Sequence, residues 1–379
     1  MPDPLRIGLV CPYSLSIPGG VQAQVMGMAR ELRRRGHEAR VLGPCDGPPP
    51  AAFVTPLGNS LPLAANGSIA PLAPDLPAAL RTMRVLDDED FDVIHLHEPY
   101  SPGPALFAML LHRAPTVATF HAAGVSASYR FLGKWLQTVL YRMDRKVVVS
   151  RDALSLVQDH LGGDYEVLFN GVEVRLIRSV APFDRSGNPE PIVFFCGRHE
   201  ERKGLRYLVE AVESIDTPIH VWIASDGPAT AELMRRTEGD ARFEWLGRIG
   251  DEEKFARLRA ADVFCAPSLG GESFGVVLIE SMAAGTAVVA SSIDGYRNVA
   301  SHDLDALLAP PGDAAALADA LRRVTTDHAL ADRLREAGAA HAQEFAMATL
   351  VDRYIEIYHE LLGVTPGGDP AMAAPAPVH

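Results

Sequence analysis

The segment Gly270-Gly271-Glu272-Ser273-Phe274-Gly275-Val276-Val277-Leu278-Ile279-Glu280 joins a glycine loop to an acidic residue and an apolar run. Ser273 is predicted to cap a helix there, because a serine hydroxyl accepts a hydrogen bond from a free backbone N–H. A helix start carries free N–H groups and about +0.5 charge, which suits an anion such as phosphate. Glu280 then lies about 12 Å along the helix from Glu272, at ~1.5 Å per residue. Two carboxylates so placed would contact two parts of one extended ligand, whereas the simpler interpretation is a capped core helix.

The composition predicts a globular protein of two domains. The chain has 379 residues, which is ample for two cores, and its net charge of −13 argues against nucleic acid as a partner. Residues 1–172 carry 15 Lys and Arg against 16 Asp and Glu, while residues 173–379 carry 20 against 32. The N-terminal half is therefore better suited to an anionic surface. The four cysteines have no metal-like spacing, and a strand is predicted to begin near residue 6 with no signal peptide before it. Both observations predict a cytoplasmic protein.

The N-terminal half begins with a Rossmann-like unit. Residues 6–11 predict a buried strand, Gly19 and Gly20 form a turn, and the apolar residues from Val21 onward follow a helical period. The dinucleotide fingerprint G-x-G-x-x-G is absent, which disfavours a nicotinamide enzyme. Gly20 would let a diphosphate approach the helix start, although a simple turn explains the glycines as well.

Three histidines lie on two predicted strands of this half. His95 and His97 alternate with apolar residues and so share one face of a strand. The sequence places no third ligand beside them, and no metal site is predicted. His121 ends a β-rich run at the carboxyl end of a strand, where open α/β sheets bind their ligands. A structural role for His121 is the alternative from the residues alone.

The C-terminal half carries two cations close to the end of a predicted strand. Gly197-Arg198 follows the strand of residues 192–196, and four residues separate Arg198 from Lys203-Gly204. Fixed cations stabilise the charge that develops on a departing diphosphate, and they can do so without a metal. A solvated surface pair is the simpler interpretation of this pattern alone.

The stretch from Glu272 to Glu280 resembles the E-x-F-G-x4-E signature of the retaining GT-B glycosyltransferases of the family four type. Gly197 to Gly204 matches the G-R-x4-K-G pattern of the same family, and the resemblance extends from residue 6 to about residue 362. It implies an α/β protein with the GT-B fold, in which two Rossmann-like domains flank an interdomain cleft. The expected parts are an N-terminal acceptor domain at 1–172, a linker at 173–190, a nucleotide-sugar domain at 191–348, a helix at 349–362 that crosses back to the N-terminal domain, and a disordered tail at 363–379.

The resemblance also implies a role for each candidate residue of a hexosyltransferase. Arg198, Lys203 and Gly20 would hold the nucleotide diphosphate together with the helix start. Glu280 would bind the ribose, and Glu272 and His121 would hold the donor sugar. The expected catalytic residues are His121, Arg198, Lys203 and Glu272, and the expected donor-binding residues are Gly20, Arg198, Lys203, Glu272, Ser273, Phe274, Gly275 and Glu280. Neither a metal nor a tightly bound cofactor is implied.

The stretches at residues 7–14, 18–22, 66–68 and 266–275 are similar to those of the actinobacterial phosphatidylinositol mannosyltransferases within that family, and they imply an acceptor site. The acceptor positions in this chain are Tyr13, Gln22, Asn66 and Ser68. The resemblance implies transfer of mannose from GDP-mannose to phosphatidylinositol by a cytoplasmic enzyme that acts peripherally at the inner face of the plasma membrane.

Two departures affect the acceptor. The phosphate-binding arginine of the family is Pro71 here, and its lysine-rich amphipathic helix is represented by residues 76–86 with Arg81 and Arg84, followed by four acidic residues. Another lipid, a soluble cyclitol or a glycan therefore stays open as the acceptor, with a GDP- or UDP-sugar as the donor. The alternative of a different class is a non-catalytic nucleotide-sugar-binding protein.

Overall fold

The computed structural model describes residues 3–65, 68–121, 142–185, 187, 189–272 and 274–364, with the backbone alone for residues 64, 65, 68, 69 and 152. The chain divides into two compact units, which are Met1–Gly171 with Met347–His379 and Val172–Ala346. Most of the segment expected to be a tail, from residue 365 onward, lies outside the described residues.

The first unit is built on a parallel sheet with a separate hairpin. Its strands are β1 (Arg6–Val10), β2 (Glu38–Gly43), β3 (Val54–Pro56), β4 (Leu61–Ala65), β5 (Ser68–Leu72), β6 (Val93–His97), β7 (Thr116–Phe120), β8 (Arg145–Val148) and β9 (Glu166–Val167). The seven-stranded sheet has the order β3-β2-β1-β6-β7-β8-β9, and β4 pairs with β5 as an antiparallel hairpin. The helices that accompany them are α1 (Gly20–Arg34), α2 (Leu76–Asp88), α3 (Pro104–Leu111) and α4 (Arg151–Leu161).

The second unit repeats this plan. Its strands are β10 (Ile192–Cys196), β11 (His220–Ala224), β12 (Phe243–Gly247), β13 (Val263–Ala266), β14 (Ala287–Ser291) and β15 (Leu307–Ala309), in the order β12-β11-β10-β13-β14-β15. Its helices are α5 (Val174–Ser179), α6 (Leu205–Glu213), α7 (Thr230–Arg236), α8 (Asp251–Ala260), α9 (Val276–Ala284), α10 (Asp294–Arg297), α11 (Ala314–Thr326) and α12 (His328–His341). Helix α5 lies inside the segment expected to be a linker. Every strand pair in this sheet is parallel.

Both sheets are parallel because their strands are apolar on both faces. The side chains of β6 and β7 are buried throughout, as are those of β13 and β14. Such near-continuous apolar runs are typical of sheets that helices cover on both sides. The prediction of an α/β protein with two Rossmann-like halves is confirmed.

The last helix, α13 (Met347–Leu362), returns to the first unit. Its inner face buries Leu350, Val351, Tyr354, Ile357 and Tyr358 in the same core as β1 and α1. Arg353 on this helix joins it to β9, because its guanidinium donates to both carboxylate oxygens of Glu166 at 2.6 and 3.1 Å. Among the described residues, no helix has the length and apolar character needed to cross a bilayer.

One close backbone approach fixes the loop before α9. Gly295 in α10 lies so near this loop that a Cβ there would stand 1.8 Å from the carbonyl oxygen of Glu272. Because that oxygen belongs to backbone, an added methyl group forces a main-chain shift.

We predict that Gly295→Ala lowers the free energy of unfolding by about 1–3 kcal/mol, the usual range for overpacking. Gly270→Ala is the matched control in the same loop, since no described atom lies within 4 Å of a Cβ at residue 270. Denaturant unfolding of the two variants and the wild type tests this. Equal midpoints for both variants would contradict it.

Candidate active site

The second unit reverses its strand order between β10 and β13, which are neighbours in the sheet. The loops after these two strands leave the same carboxyl edge side by side, which is where open α/β sheets bind ligands. The loops are joined by a hydrogen bond of 2.7 Å from Leu269 N–H to the carbonyl oxygen of Arg202. The glutamate and lysine motifs recognised in the sequence therefore meet at one point.

Glu272 is held there by two cations. Its Oε1 lies 2.7 Å from Lys203 Nζ and 3.0 Å from Arg202 Nη1. The side chains of Glu272 and Lys203 are only 14% and 19% exposed, so solvent screens this pair weakly. Arg202 Nη1 also donates to the carbonyl oxygen of Gly271 at 3.3 Å. This cluster offers positive charge for an anion and a carboxylate for hydroxyl groups within one small region.

Arg198 stands at the rim of the same loop. Its side chain is 66% exposed, and its Nε lies 3.1 Å from Glu200 Oε1. The other oxygen of Glu200 accepts from Arg202 Nε at 2.9 Å. The structure thus links Arg198 to Glu272 only through Glu200 and Arg202, and it leaves the Arg198 guanidinium accessible.

The expected helix start is present, but its cap is not the predicted one. Helix α9 begins at Val276, and the residue before it is Gly275 in the left-handed conformation, with φ 74° and ψ 40° and no side-chain cap. The prediction of Ser273 as the capping residue is wrong, because the left-handed turn at Gly275 starts the helix two residues later than a serine cap requires. Ser273 lies outside the described residues. Phe274 is buried with its ring centroid 5.5 Å from that of Phe345.

Glu280 lies on α9 and is paired with Lys254 of α8. Lys254 Nζ is 3.1 Å from Glu280 Oε1 and 3.1 Å from Asp251 Oδ1. Burial raises the pKa of Glu280, and the Lys254 ammonium offsets part of that rise. Burial lowers the pKa of Lys254, but the Glu280 and Asp251 carboxylates outweigh it and leave that pKa raised. Lys254 therefore stays charged beside Glu280.

In the first unit, the loop after β1 carries Tyr13 and leads into α1. Burial and the Glu98 carboxylate raise the pKa of the Tyr13 hydroxyl, which hydrogen-bonds Ser101. Gln22 donates from Nε2 to the carbonyl oxygens of Ser14 and Ile17, each at 3.2 Å. The amide nitrogen of Gln22 therefore holds this loop in shape.

Gly20 is the first residue of α1, and Gly19 before it has extended backbone. Within the described residues, no atom lies within 4 Å of a Cβ built at Gly20. The helix start is therefore open on this side.

The β4-β5 hairpin meets the same loop. Tyr13 forms an antiparallel bridge with Leu72, and Ser14 N–H donates to the carbonyl oxygen of Pro71 at 2.9 Å. Ser68 begins β5, four residues before Leu72, and only its backbone is described. Asn66 lies outside the described residues. Pro71, which stands in place of the family's arginine, serves this junction through its carbonyl oxygen.

His121 follows β7 and is held from two sides. Its Nε2 lies 2.9 Å from Nδ1 of His97, and its backbone N–H donates to the Glu98 carboxylate. Burial lowers the pKa of His121 to about 4, although a hydrogen bond with the Asn170 side chain raises it. The ring is therefore neutral at physiological pH.

Three neighbours of the predicted residues carry contacts that sequence reasoning missed. Arg202 occupies one of the four variable positions in G-R-x4-K-G, so the pattern gave it no weight. Lys254 lies on α8, outside the motifs that carry the resemblance, so no pattern pointed to its pairing with Glu280. His97 looked structural because it alternates with apolar residues. In the described part of the chain, no group of three or more His, Cys, Asp or Glu side chains is arranged to hold a metal ion.

Comparison with known proteins agrees with this geometry. Residues 18–176 match the family described as Glycosyltransferase Family 4, and residues 190–327 match Glycosyl transferases group 1. The phosphatidyl-myo-inositol mannosyltransferase of Mycobacterium leprae is 37% identical over 369 residues, which cover 93% of this chain and 96% of that protein.

Two solved structures share the fold. Sucrose-phosphate synthase from Thermosynechococcus elongatus has a TM-score of 0.75 and 21% identity, covering 95% of this chain and 99% of that one. Anabaena HepE in complex with UDP-glucose has a TM-score of 0.68 and 18% identity, covering 94% and 100%.

The predictions of a GT-B glycosyltransferase and of a hexosyltransferase are confirmed by these matches. The protein uses a nucleotide-sugar donor and an acceptor, as glycosyltransferases do. The chain belongs to glycosyltransferase family 4, in the group of the phosphatidyl-myo-inositol mannosyltransferases.

Proposed function

We propose that the protein transfers mannose from GDP-mannose to an inositol hydroxyl of phosphatidylinositol, with retention at the anomeric carbon. The observation that carries the donor chemistry is the Glu272 carboxylate held by Lys203 and Arg202 at the strand-order reversal. The sugar and the acceptor are supported by the printed activity of relatives that are 36–37% identical over 93–95% of this chain.

The second unit supplies the donor contacts. Lys203 and Arg198 bind the diphosphate at the start of helix α9, where Ser273, Phe274 and Gly275 are further proposed donor contacts. Gly20 is also a proposed contact of the donor. Glu280 accepts hydrogen bonds from the ribose hydroxyls, and Lys254 holds Glu280 in place at 3.1 Å. Glu272 accepts from hydroxyl groups of the mannose.

The reaction breaks the bond between the anomeric carbon and the diphosphate oxygen, and the electron pair leaves with GDP. The inositol hydroxyl forms the new bond on the same face of the sugar, and its proton passes to the departing phosphate. Charge grows on the diphosphate as this happens, so cations fixed beforehand stabilise the transition state more than the bound donor. His121 contacts the donor sugar as a neutral hydrogen-bonding group. Water must be excluded, because hydrolysis competes.

The first unit supplies the acceptor contacts. Tyr13, Asn66 and Ser68 hold the inositol phosphate, and Gln22 shapes the Tyr13 loop while offering its amide oxygen. Tyr13 and the β5 strand of Ser68 are already joined through the bridge to Leu72. Polar and aromatic groups of this kind suit a cyclitol, whose hydroxyl groups alternate with apolar ring faces.

Helix α2 supports a peripheral position at the inner membrane surface, in a cytoplasmic enzyme. Its buried face carries Ala78, Thr82 and Leu86. An apolar stripe on its outer side, Leu76, Leu80 and Met83, is 70%, 51% and 37% exposed. Half-exposed apolar side chains one helical turn apart are typical of helices that lie in a membrane interface.

One observation favours a different acceptor within the same chemistry. Proline at position 71 carries no charge, so the lipid phosphate lacks the cation that the family places there. A soluble cyclitol or another lipid without that phosphate would not need it.

The first experiment compares thermal stabilisation by GDP, UDP and ADP, each with and without mannose or glucose attached, and then donor turnover with phosphatidylinositol vesicles. A ligand at 100 times its Kd adds about 2.7 kcal/mol of stability, so the correct base stands out. A GDP response with mannosylated lipid supports the proposal. A UDP response would contradict GDP-mannose as the donor. GDP-mannose turnover with free inositol alone would contradict phosphatidylinositol as the acceptor. Donor binding without turnover by any acceptor indicates a non-catalytic protein.

We predict that Lys203→Ala lowers kcat/KM for GDP-mannose by about 100-fold or more, as removal of one transition-state donor does. Arg206→Ala is the matched control, since Arg206 is a cation of the same chain segment that lines a cavity with Glu201 and Glu232 and is not one of the proposed donor contacts. Steady-state transfer rates at saturating lipid test this. Equal losses in both variants would indicate a general charge effect.

We predict that the double substitution Leu76→Ser and Leu80→Ser weakens binding to phosphatidylinositol vesicles by about tenfold or more. Tenfold corresponds to about 1.4 kcal/mol, and full burial of a single leucine is worth roughly 1.5–3 kcal/mol. Leu304→Ser is the control, as Leu304 is 60% exposed in the second unit. Vesicle co-sedimentation measures the binding, and turnover of a soluble acceptor checks that the donor site is intact. Unchanged sedimentation would remove α2 from the membrane contact.

A further inference from the structure

Three histidine rings form a continuous stack inside the first unit, and His121 is its outer member. The ring centroids of His95 and His97 are 4.5 Å apart with planes at 14°, and those of His97 and His121 are 5.2 Å apart at 26°. His95 and His97 are completely buried. The stack arises because β6 places two histidines on one face of the sheet and His121 directly follows the neighbouring strand β7.

The inner end of the stack is locked by the last helix. His95 Nδ1 lies 2.7 Å from the Tyr358 hydroxyl, and His95 Nε2 lies 2.7 Å from Thr119 Oγ1. Thr119 Oγ1 is in turn 3.0 Å from the Tyr354 hydroxyl. Both nitrogens of His95 are thus bound, and both tyrosines are fully buried in α13. His95 therefore gives the His97 ring a stacking partner with a fixed orientation.

His97 has a different set of partners. Its Nδ1 bonds to His121 Nε2 at 2.9 Å, while its Nε2 is buried and has no hydrogen-bond partner in the described part of the chain. A buried polar atom without a partner costs about 1–3 kcal/mol. A histidine kept only for packing would be served better by leucine or phenylalanine, which carry no such atom. The bond to His121 requires a polar atom at the position of His97 Nδ1, which leucine and phenylalanine do not have.

We propose that His97 is a positioning residue that fixes the ring orientation and the tautomer of His121 for contact with the donor sugar. This inference rests on the proposed function, since it gives that reaction's histidine a partner. One hydrogen is shared between the two facing nitrogens, so the tautomer of each neutral ring determines the tautomer of the other. The second nitrogen of His121, Nδ1, then presents a donor or an acceptor to a sugar hydroxyl according to which ring holds the shared hydrogen.

The burial of the stack keeps it neutral, which this arrangement requires. Burial lowers the pKa of His95 to about 3, and His97 is shifted in the same direction by burial and by its two histidine neighbours. Two charged rings at stacking distance would repel each other, and each would lose its acceptor nitrogen.

The test uses substitutions that keep or remove a polar atom at the position of Nδ1. Asn carries its amide atoms as far from Cβ as histidine carries Nδ1, whereas Gln carries them at the distance of Nε2. We expect His97→Asn to keep kcat for mannose transfer within about threefold of wild type, and His97→Gln and His97→Leu to lower kcat by about tenfold to 100-fold, as misplacement of a reacting group does. The KM for GDP-mannose should change little in all three. Equal losses in the three variants, or losses that follow their melting temperatures, would overturn the proposal.

A double-mutant cycle shows whether His97 acts through His121. His121→Ala is expected to lower kcat by orders of magnitude with nearly unchanged GDP affinity, and His97→Leu should cost little more in that background. An equal cost of His97→Leu in both backgrounds would contradict the proposal.

A readout without turnover separates this proposal from the proposed function. Nitrogen-15 NMR of histidine-labelled protein should show one tautomer for His121 in the wild type and in His97→Asn, and an averaged or altered one in His97→Leu. An unchanged His121 tautomer in His97→Leu would overturn the inference. A wild type that turns over no GDP-mannose, with the tautomer change present, would overturn the mannosyltransferase assignment alone.

Discussion

The reversal of strand order within each parallel sheet is the constraint on which the candidate residues depend. In the second unit β10 neighbours both β11 and β13, so the connections to these neighbours run in opposite directions and leave a crevice at the carboxyl edge. The first unit has the same arrangement, with β1 between β2 and β6. Tyr13 follows β1, Glu98 follows β6, and His121 follows β7. The chain thus brings together residues that are about a hundred positions apart without any dedicated active-site element.

The charged side chains at the strand-order reversal of the second sheet are held in place by one another in the absence of a ligand. Glu272 compensates the charges of Lys203 and Arg202, and it holds both cations beside the loop proposed to bind the diphosphate. A poorly exposed ion pair adds little net stability, because desolvation offsets much of the Coulomb attraction. Its value lies in orientation, since a cation already fixed in place needs no rearrangement when negative charge develops. Lys254 and Glu280 repeat this arrangement at the site proposed for the ribose.

The sequence predicted the fold correctly, and it singled out residues that the structure brings together at the candidate site. Apolar runs of strand length separated by helical periods indicate parallel sheets, and Lys203, Glu272 and Glu280 belong to motifs with fixed spacing. Ser273 was placed wrongly as a cap, because the helix start depends on the left-handed conformation of Gly275, which local propensity does not reveal. The contacts of Lys254 and His97 were not predicted, for a different reason. Their importance arises from neighbours 26 and 24 residues away, Glu280 and His121, and no short pattern records such a contact.

The acidic run at the C-terminal end of α2 illustrates why a charge count misjudges a surface. Residues 87–90 are all acidic, but Asp87 pairs with Arg113, Asp88 with Arg84, and Glu89 with Arg6 and Arg40. Arg81 of the same helix forms no ion pair in the part of the chain that the structure describes, and it stays available to an anionic surface. Each cation near an anionic membrane is worth about 1 kcal/mol, which is less than one buried leucine contributes. If α2 docks on a membrane, its attachment then depends on the apolar stripe more than on charge, and it responds weakly to salt. In that case the surface would respond to the presence of a bilayer, and the choice of head group would fall to the acceptor contacts proposed at the Tyr13 loop and the β4-β5 hairpin.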